Sequence, residues 1–258
     1  ENNCTLTQDF VLTQPEELIM TASTDQAVCY GQNVNLSVVP SGGTMPYTVY
    51  WDYGNGFFSG PAIINANPDS TTTYSVYVED ANGCSTQPQD IKLTVSPEII
   101  FDLIVKDNSC YNACNGEALL NVEGGIAPLT YSWAAPGALY QNMCAGVYHV
   151  TVTDNIGCEK DTVFEIDQPS ELIGDIYSEP ASCYGYDDGL AYAEPEGGTP
   201  GYGGYQFEWP DGTTNDSVYT SAGLTEVTIT DANGCRLKLE TFINQPEKLE
   251  SILNTSDK

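Results

Sequence analysis

The chain has 258 residues, enough for one large domain or several small ones, and its composition narrows the structural class. Seventeen Tyr, 24 Gly and 15 Pro indicate short strands joined by tight turns. Thirty-six acidic residues against seven Lys and Arg give a net charge of −29, which would repel nucleic acid and anionic membranes. Because 41 % of the residues are hydrophobic and alternate with polar ones, the sequence predicts a folded all-β protein.

Nine cysteines recur along the chain, and none forms the C-x2-C pair typical of zinc sites. Such recurrence predicts disulfides formed outside the cytoplasm. The sequence has no run of eighteen apolar residues and does not begin like a signal peptide, so any export signal is expected elsewhere. We predict an extracellular, cell-surface protein without membrane insertion.

Residues 1–13 are predicted to be the last strand of a preceding repeat. Cys4 stands ten residues before Gln14-Pro15, and the same interval separates Cys158 from Gln168 and Cys235 from Gln245. Cys4 is therefore expected to close a repeat whose body lies upstream, and to bond to none of the other eight cysteines. Residues 246–258 are predicted to begin a following repeat.

Three repeats are predicted between these ends, at 14–96, 97–168 and 169–245, and their landmarks recur in one order. Each has an opening Cys-Tyr, a Gly-Gly pair, a strand ending in Trp, and a closing Asp-x-x-Gly-Cys turn. The opening cysteines are Cys29, Cys110 and Cys183, and the Gly-Gly pairs begin at Gly42, Gly124 and Gly197. The tryptophans are Trp51, Trp133 and Trp209, and the closing cysteines are Cys84, Cys158 and Cys235.

Period-two alternation predicts which side chains of the last strands face inward. On the strand ending in Trp the inward residues are Tyr47, Val49 and Trp51, then Leu129, Tyr131 and Trp133, then Tyr205, Phe207 and Trp209. The closing Asp turn is predicted to be a type I hairpin turn, and the boundary prolines suit short linkers. About 75 residues per repeat predict tandem immunoglobulin-like β-sandwiches in an elongated array, each with one buried Trp.

Several side chains that resemble catalytic or metal-binding groups have a simpler explanation. Acidic pairs are inevitable at this composition, and a repeat of this size offers no walled cleft for two catalytic carboxylates. The Asp187-Asp188-Gly189 stretch lacks the Ca²⁺-loop spacing and is interpreted as a turn. The single His149 is predicted to face solvent and receives no role. We therefore predict no enzymatic activity, no metal site and no cofactor.

Four aromatic residues fall outside the repeated pattern, namely Tyr53, Phe57, Phe58 and Tyr202. They are candidate ligand contacts, with sugar stacking as the suggested mode. The alternative is that these loops pack on their own domains.

A repeat this small buries little apolar surface, so one disulfide within each repeat is expected. The expected pairs are Cys29–Cys84, Cys110–Cys158 and Cys183–Cys235. Only the second repeat also has Cys114 and Cys144, which are expected to bond to each other.

The second repeat resembles the SprB repeat of gliding-motility adhesins and related giant surface proteins. The resemblance rests on Gly124-Gly125, Pro128, Trp133, residues 145–154 and Gly157-Cys158. The third repeat keeps most of this pattern, with Thr225 in place of a Tyr, whereas the first is closer to a PKD- or immunoglobulin-like domain.

This resemblance implies type IX secretion and a role in surface filaments, with neighbouring repeats, surface polysaccharide and the secretion machinery as partners. The predicted function is a non-catalytic stalk of an adhesin, with a carbohydrate-binding module as the alternative. Three Asp-Ser/Thr-x triplets resemble O-glycosylation motifs, at Ser70, Thr162 and Ser217.

Overall fold

The computed structural model describes residues 4–133 and 137–251, and over those residues it consists of strands and turns without a helix. The predicted all-β class is confirmed. Within the first predicted repeat the strands are β1 (Ile19–Ala22), β2 (Gln26–Cys29), β3 (Val34–Ser41), β4 (Thr48–Asp52), β5 (Phe57–Gly60), β6 (Ile63–Ala66), β7 (Thr72–Glu79) and β8 (Gln89–Ser96). Those of the second are β9 (Ile100–Lys106), β10 (Gly116–Glu123), β11 (Thr130–Tyr131), β12 (Leu139–Met143), β13 (Gly146–Thr153) and β14 (Glu159–Ile166). Those of the third are β15 (Ser170–Glu179), β16 (Gly189–Gly198), β17 (Gln206–Glu208), β18 (Ser217–Thr220), β19 (Gly223–Thr230) and β20 (Arg236–Ile243).

Contacts between residues divide the chain into two compact units rather than three. The first comprises residues 1–101, 122–132 and 151–161, and the second comprises residues 102–121, 133–150 and 162–258. The division therefore passes through the second predicted repeat. The repeat boundaries at 14–96, 97–168 and 169–245 stay a prediction.

The first repeat contains a three-stranded sheet in the order β1-β3-β6 and a five-stranded sheet in the order β2-β8-β7-β4-β5. Inward side chains of both sheets form one core around Trp51, which is fully buried together with Leu36, Val76 and Ile91. The Trp51 Nε1–H donates to the Pro61 carbonyl at 2.9 Å, so the buried indole leaves no polar atom unpaired. The predicted inward alternation of this repeat agrees with the observed burial.

The second repeat contains the sheets β12-β10-β9 and β11-β13-β14. Its Trp133 is only half-buried, against the expectation of a Trp enclosed between sheets. β11 has two residues where β4 has five, so the strand ends before it reaches Trp133. The indole packs instead on Tyr140 and Phe164 and donates from Nε1 to the Gly137 carbonyl at 2.7 Å.

The third repeat contains the sheets β15-β16-β18 and β17-β19-β20. Its core encloses Trp209, which is 2 % exposed, with Val227, Ile229 and Ile243. The Trp209 Nε1–H donates to the Asn215 carbonyl at 2.8 Å. This repeat therefore matches the predicted position of its tryptophan.

Strand β2 determines at which end of the first repeat the opening cysteine, Cys29, lies. It pairs parallel with β8, the last strand of the first repeat, with Cys29 opposite Ser96. Cys29 therefore lies at the end of the repeat from which the chain leaves through Pro97. Cys84, in the turn before β8, lies at the other end of that strand.

Candidate functional site

The closing turns are built around three buried aspartates, Asp80, Asp154 and Asp231. In each, Oδ1 accepts the N–H of the residue two positions on and that of the closing cysteine, at 2.8–2.9 Å. Oδ2 reaches across the repeat to the N–H that follows the Gly-Gly pair, on Thr44, Ile126 or Thr199. The aspartate thus fixes the turn and ties it to the Gly-Gly segment, which is more than the turn-capping role predicted from sequence.

The Gly-Gly pairs lie directly against the linker that enters each repeat. A Cβ on Gly42 would lie 2.0 Å from the Glu17 carbonyl oxygen, and one on Gly124 would lie 1.9 Å from that of Glu98. Gly197 has the same relation to Glu171, at 2.0 Å. All three glycines also have φ between 72° and 78°. Only glycine allows this backbone approach, so the pair marks the entrance end of each repeat.

Hydrogen bonds to two of the closing aspartates, Asp80 and Asp154, lower the pKa of their carboxyl groups. Burial of Asp80 opposes ionisation, but N–H donors from Cys84, Thr44 and Asn82 outweigh it and hold the pKa of this carboxyl below its usual value. For Asp154 burial again opposes ionisation, and the Ser96 hydroxyl with the N–H groups of Ile126, Cys158 and Ile156 lowers the pKa. Both turns are therefore stabilised by the charged form of the aspartate.

Two disulfides connect the opening cysteine of one predicted repeat to the closing cysteine of the next. Cys29 bonds to Cys158 with a Cα–Cα distance of 5.5 Å, and Cys110 bonds to Cys235 at 5.7 Å. The expected bonds Cys29–Cys84, Cys110–Cys158 and Cys183–Cys235 within repeats are wrong. Cys84 and Cys183, both predicted to be bonded, are exposed free thiols.

The strand arrangement explains this correction. In the first repeat, Cys29 lies opposite the last residue of β8, and Cys84 lies before its first residue. An eight-residue strand is about 25 Å long, whereas a disulfide needs Cα atoms within roughly 7 Å. The opening cysteine is therefore at the exit end and the closing cysteine at the entrance end, so the nearest partner for the first is the closing cysteine of the next repeat.

The remaining cysteines are Cys114, Cys144 and Cys4. Cys114 and Cys144 are joined, as their joint occurrence in the second repeat suggested. Cys4 is a free, exposed thiol.

Two of the three opening turns, those of Cys110 and Cys183, are held by a second contact from a linker glutamine. The Asn112 N–H of the Cys110 turn donates to Gln168 Oε1 at 2.8 Å, and the Gly185 N–H of the Cys183 turn donates to Gln245 Oε1 at 2.8 Å. From the sequence, these Gln-Pro pairs were predicted only to mark repeat boundaries, with no contact to the opening turns. Their ten-residue interval after Cys158 and Cys235 was the available signal, because the eight-residue strands β14 and β20 place Gln168 and Gln245 beside the opening turns.

The candidate ligand-contact aromatics lie on two different compact units. Tyr53, Phe57 and Phe58 border the β4–β5 hairpin and are 44 %, 39 % and 56 % exposed. Phe57 packs edge-on against Tyr77 at 4.9 Å, and Tyr77 stacks on Tyr50 at 4.8 Å. Tyr202, in the other unit, is fully exposed between β16 and β17. Three of the four therefore lie at one hairpin of the first repeat, but Phe57 contacts the outer face of the sheet, whereas Tyr53 packs edge-on against the core residue Tyr74 at 5.8 Å.

The other sequence candidates lie on strands or turns. Ser70 is exposed before β7, while Thr162 on β14 and Ser217 on β18 are half-buried. Asp188 accepts the Ser182 N–H at 2.9 Å and its hydroxyl at 2.5 Å, and these bonds lower the pKa of Asp188. His149 is exposed on β13. Among residues 4–133 and 137–251 no group of three acidic, His or Cys side chains could hold a metal ion, and no helix could span a membrane.

Comparison with known proteins identifies one stretch by sequence. The SprB repeat model matches residues 103–138, in the second repeat. A search of curated protein sequences gives no match.

Solved structures resemble the chain in fold. A mutated three-domain fragment of titin, domains I67–I69, is 11 % identical and covers 92 % of this chain and 100 % of its own, with a TM-score of 0.52. The unmutated I-band fragment is 10 % identical over the same shares, with a TM-score of 0.49. Extracellular domains 3–5 of Drosophila OTK are 9 % identical and cover 86 % of this chain and 95 % of their own, with a TM-score of 0.26. The first likeness shows an immunoglobulin-like fold.

Proposed function

We propose that this chain, which contains a SprB repeat on an immunoglobulin-like fold, is a non-catalytic stalk segment of a long cell-surface adhesin. The observation that supports it most is the bonding of two opening cysteines, Cys29 and Cys110, to the closing cysteine of the next repeat. A covalent bridge beside the peptide linker restricts bending between repeats, which a spacer requires. The SprB repeat match connects the segment to surface proteins, and secretion, attachment and gliding belong to this proposal.

Small-angle scattering of the purified, oxidised chain tests the stalk. A strand of six residues with its loops suggests 35–40 Å per repeat, so three repeats in line give a maximum dimension of about 110 Å. Reduction of the disulfides should broaden the distribution of interatomic distances, because the linkers alone then set the angles. A compact particle under oxidising conditions would contradict the stalk.

A second candidate function is carbohydrate binding, supported by the exposed rings of Tyr53, Phe58 and Tyr202. Planar aromatic faces stack on sugar rings, and three of the four candidates lie at the β4–β5 hairpin of the first repeat. A glycan array probed with the whole chain distinguishes the two functions. Binding that Phe57→Ala or Tyr202→Ala removes, and that Tyr219→Ala on exposed β18 leaves intact, would favour the module. No binding across the array would favour the stalk alone.

A further inference from the structure

The free thiols Cys84 and Cys183 occupy the same two positions that are bonded elsewhere in the chain. Cys84 is a closing cysteine, like Cys158 and Cys235, and Cys183 is an opening cysteine, like Cys29 and Cys110. We propose that each is half of a further bond of this kind. Cys84 receives the opening turn of a preceding repeat of the same type, and Cys183 receives the closing turn of a following one. The proposal holds whether or not the protein is an adhesin.

The surface around Cys84 already has the arrangement of the bonded sites. Asp80 Oδ1 holds the Cys84 N–H at 2.9 Å, as Asp154 and Asp231 hold their cysteines at 2.8 Å. The entering linker is fixed in the same way, since the Gly43 N–H donates to the Glu16 carbonyl at 2.8 Å and the Gly125 N–H to that of Pro97 at 3.1 Å. The closing turn of the first repeat is therefore in its bonded form without a partner.

An open cavity beside Cys84 corresponds to a cavity at the Cys29–Cys158 bond. The cavity at Cys84 is lined by Gln14, Pro15, Glu16 and Asp80, among others. The cavity at the bond has the corresponding linker residues Pro97 and Glu98, and in addition the opening turn with Cys29, Tyr30 and Gln32. Only the opening turn has no counterpart at Cys84, so we infer that this cavity accepts one.

The side chain of Gln14, beside Cys84, is also suited to bind an opening turn. The linker glutamines Gln168 and Gln245 each accept an N–H from the turn of the repeat that they leave. Gln14 is the equivalent glutamine and lines the Cys84 cavity. The site thus presents both a sulfur and an amide acceptor for a Cys-Tyr turn.

The complementary half, at Cys183, is also preformed. The Tyr186 N–H bonds back to the Cys183 carbonyl at 3.2 Å, matching Gln32 to Cys29 at 3.0 Å and Ala113 to Cys110 at 3.1 Å. Gln245 anchors this turn from the linker side. Because Cys183 is exposed, its sulfur is accessible to a closing cysteine.

The bond forms by exchange with a disulfide oxidant such as oxidised glutathione or an oxidised dithiol enzyme. The Cys84 thiolate attacks the oxidant, its S–S bond breaks, and one thiolate leaves with Cys84 in a mixed disulfide. The opening-cysteine thiolate then attacks the Cys84 sulfur and displaces the second thiolate. Two protein thiols are oxidised, one disulfide of the oxidant is reduced to two thiols, and the two protons pass to the solvent or the leaving thiolates.

A tandem fusion of two copies tests the proposal with a natural linker. The first copy ends at Leu249 and the second begins at Ile19, so Gln245-Pro246-Glu247-Lys248-Leu249 replaces the matching residues 14–18. After oxidation in a glutathione buffer, non-reducing peptide mapping should find Cys183 of the first copy bonded to Cys84 of the second. Cys183→Ser in the first copy should leave that Cys84 free. The proposal is overturned if both thiols stay free, or bond elsewhere, while Cys29–Cys158 and Cys110–Cys235 are intact.

A mixture of two unfused variants gives an independent answer if the fusion misfolds. Both carry Cys4→Ser, one also carries Cys84→Ser, and the other also carries Cys183→Ser. Only the Cys183 of the first and the Cys84 of the second can then form the proposed bond. A covalent heterodimer joined at these two cysteines is expected in the mixture and absent when either variant is oxidised alone. Absence of the heterodimer together with failure of the fusion to form the bond refutes the proposal.

Discussion

The closing aspartates show how one side chain determines both a turn and a junction. Asp154 fixes the cysteine of its turn through Oδ1, and through Oδ2 it accepts the Ile126 N–H at 3.0 Å and the Ser96 hydroxyl at 2.5 Å. Ser96 is fully buried at the end of the first repeat. The carboxylate therefore positions Cys158 relative to the end of β8, which lies opposite Cys29. The disulfide depends on this alignment, because its geometry tolerates little displacement.

Replacement of Asp154 by Asn should destabilise the chain. The amide has one acceptor oxygen for the groups that two carboxylate oxygens now satisfy, so at least one buried N–H loses its partner. The free energy of unfolding should fall by about 1–3 kcal/mol. Urea unfolding followed by circular dichroism measures the change, with Asp69→Asn on an exposed turn as the matched control. Equal stability of Asp154→Asn and the control would contradict the role assigned to Asp154.

The same variant has a predictable pH dependence. Because folding lowers the pKa of Asp154, the ionised carboxylate contributes stability above its unfolded pKa of about 3.9, and that contribution is lost as the pH falls through the lower folded pKa. The difference in melting temperature between wild type and Asp154→Asn should therefore be full at pH 6 and shrink below pH 4. Both proteins contain the other carboxylates, so protonation of those groups shifts both melting temperatures and cancels in the difference. A difference that is constant from pH 6 to pH 2 would refute the assignment.

At the level of elements, local patterns predicted the strands well and their partners poorly. Alternation placed Val49 and Trp51 correctly because the period of a strand depends only on neighbouring residues. The parallel pairing of β2 with β8 joins segments more than sixty residues apart, and no local pattern encodes it. That pairing separates Cys29 from Cys84. The recurring order of the cysteines along the chain was therefore compatible with bonds within repeats and with bonds between them.

The Gly-Gly pair offers a test of the linker contact separate from backbone strain. Gly42 and Gly83 have φ of 72° and 79°, but a Cβ on Gly42 would overlap the Glu17 carbonyl, whereas one on Gly83 would meet nothing within 4 Å. Gly83→Ala should cost about 1 kcal/mol for the left-handed backbone alone. Gly42→Ala should cost a further 1–3 kcal/mol, roughly, because the linker must move.

Hydrogen exchange of peptides from the first repeat distinguishes these variants. Gly42→Ala should speed exchange at the Gly43 N–H and the entering linker, and Gly83→Ala should leave that linker unchanged. Equal effects of the two substitutions on the linker would show that strain, and not the contact with Glu17, determines the cost.

For the whole molecule, the two bonds between repeats enclose overlapping segments of chain. Cys29–Cys158 encloses a separation of 129 residues and Cys110–Cys235 one of 125, and residues 110–158 lie inside both. Because the two segments overlap, a pulling force on the chain ends passes through both bonds and runs backwards through residues 110–158 between them. Cys114–Cys144 lies within that overlap, so it also bears tension and shortens the extensible path.

Force spectroscopy on the whole oxidised chain tests this crossing. Serine substitution of Cys114 and Cys144 should lengthen the fully extended chain by the 30 residues that this disulfide encloses, or roughly 100 Å at the reach of an extended chain. With disulfides within repeats the same change would add nothing, because Cys114–Cys144 would lie inside the segment that a Cys110–Cys158 bond already bypasses. Serine substitution of Cys29 and Cys158 should also lengthen the chain, since the tension then passes through Cys110–Cys235 alone. No gain in length on removal of Cys114–Cys144 would contradict the crossed bonds and would restore disulfides within repeats as the better description.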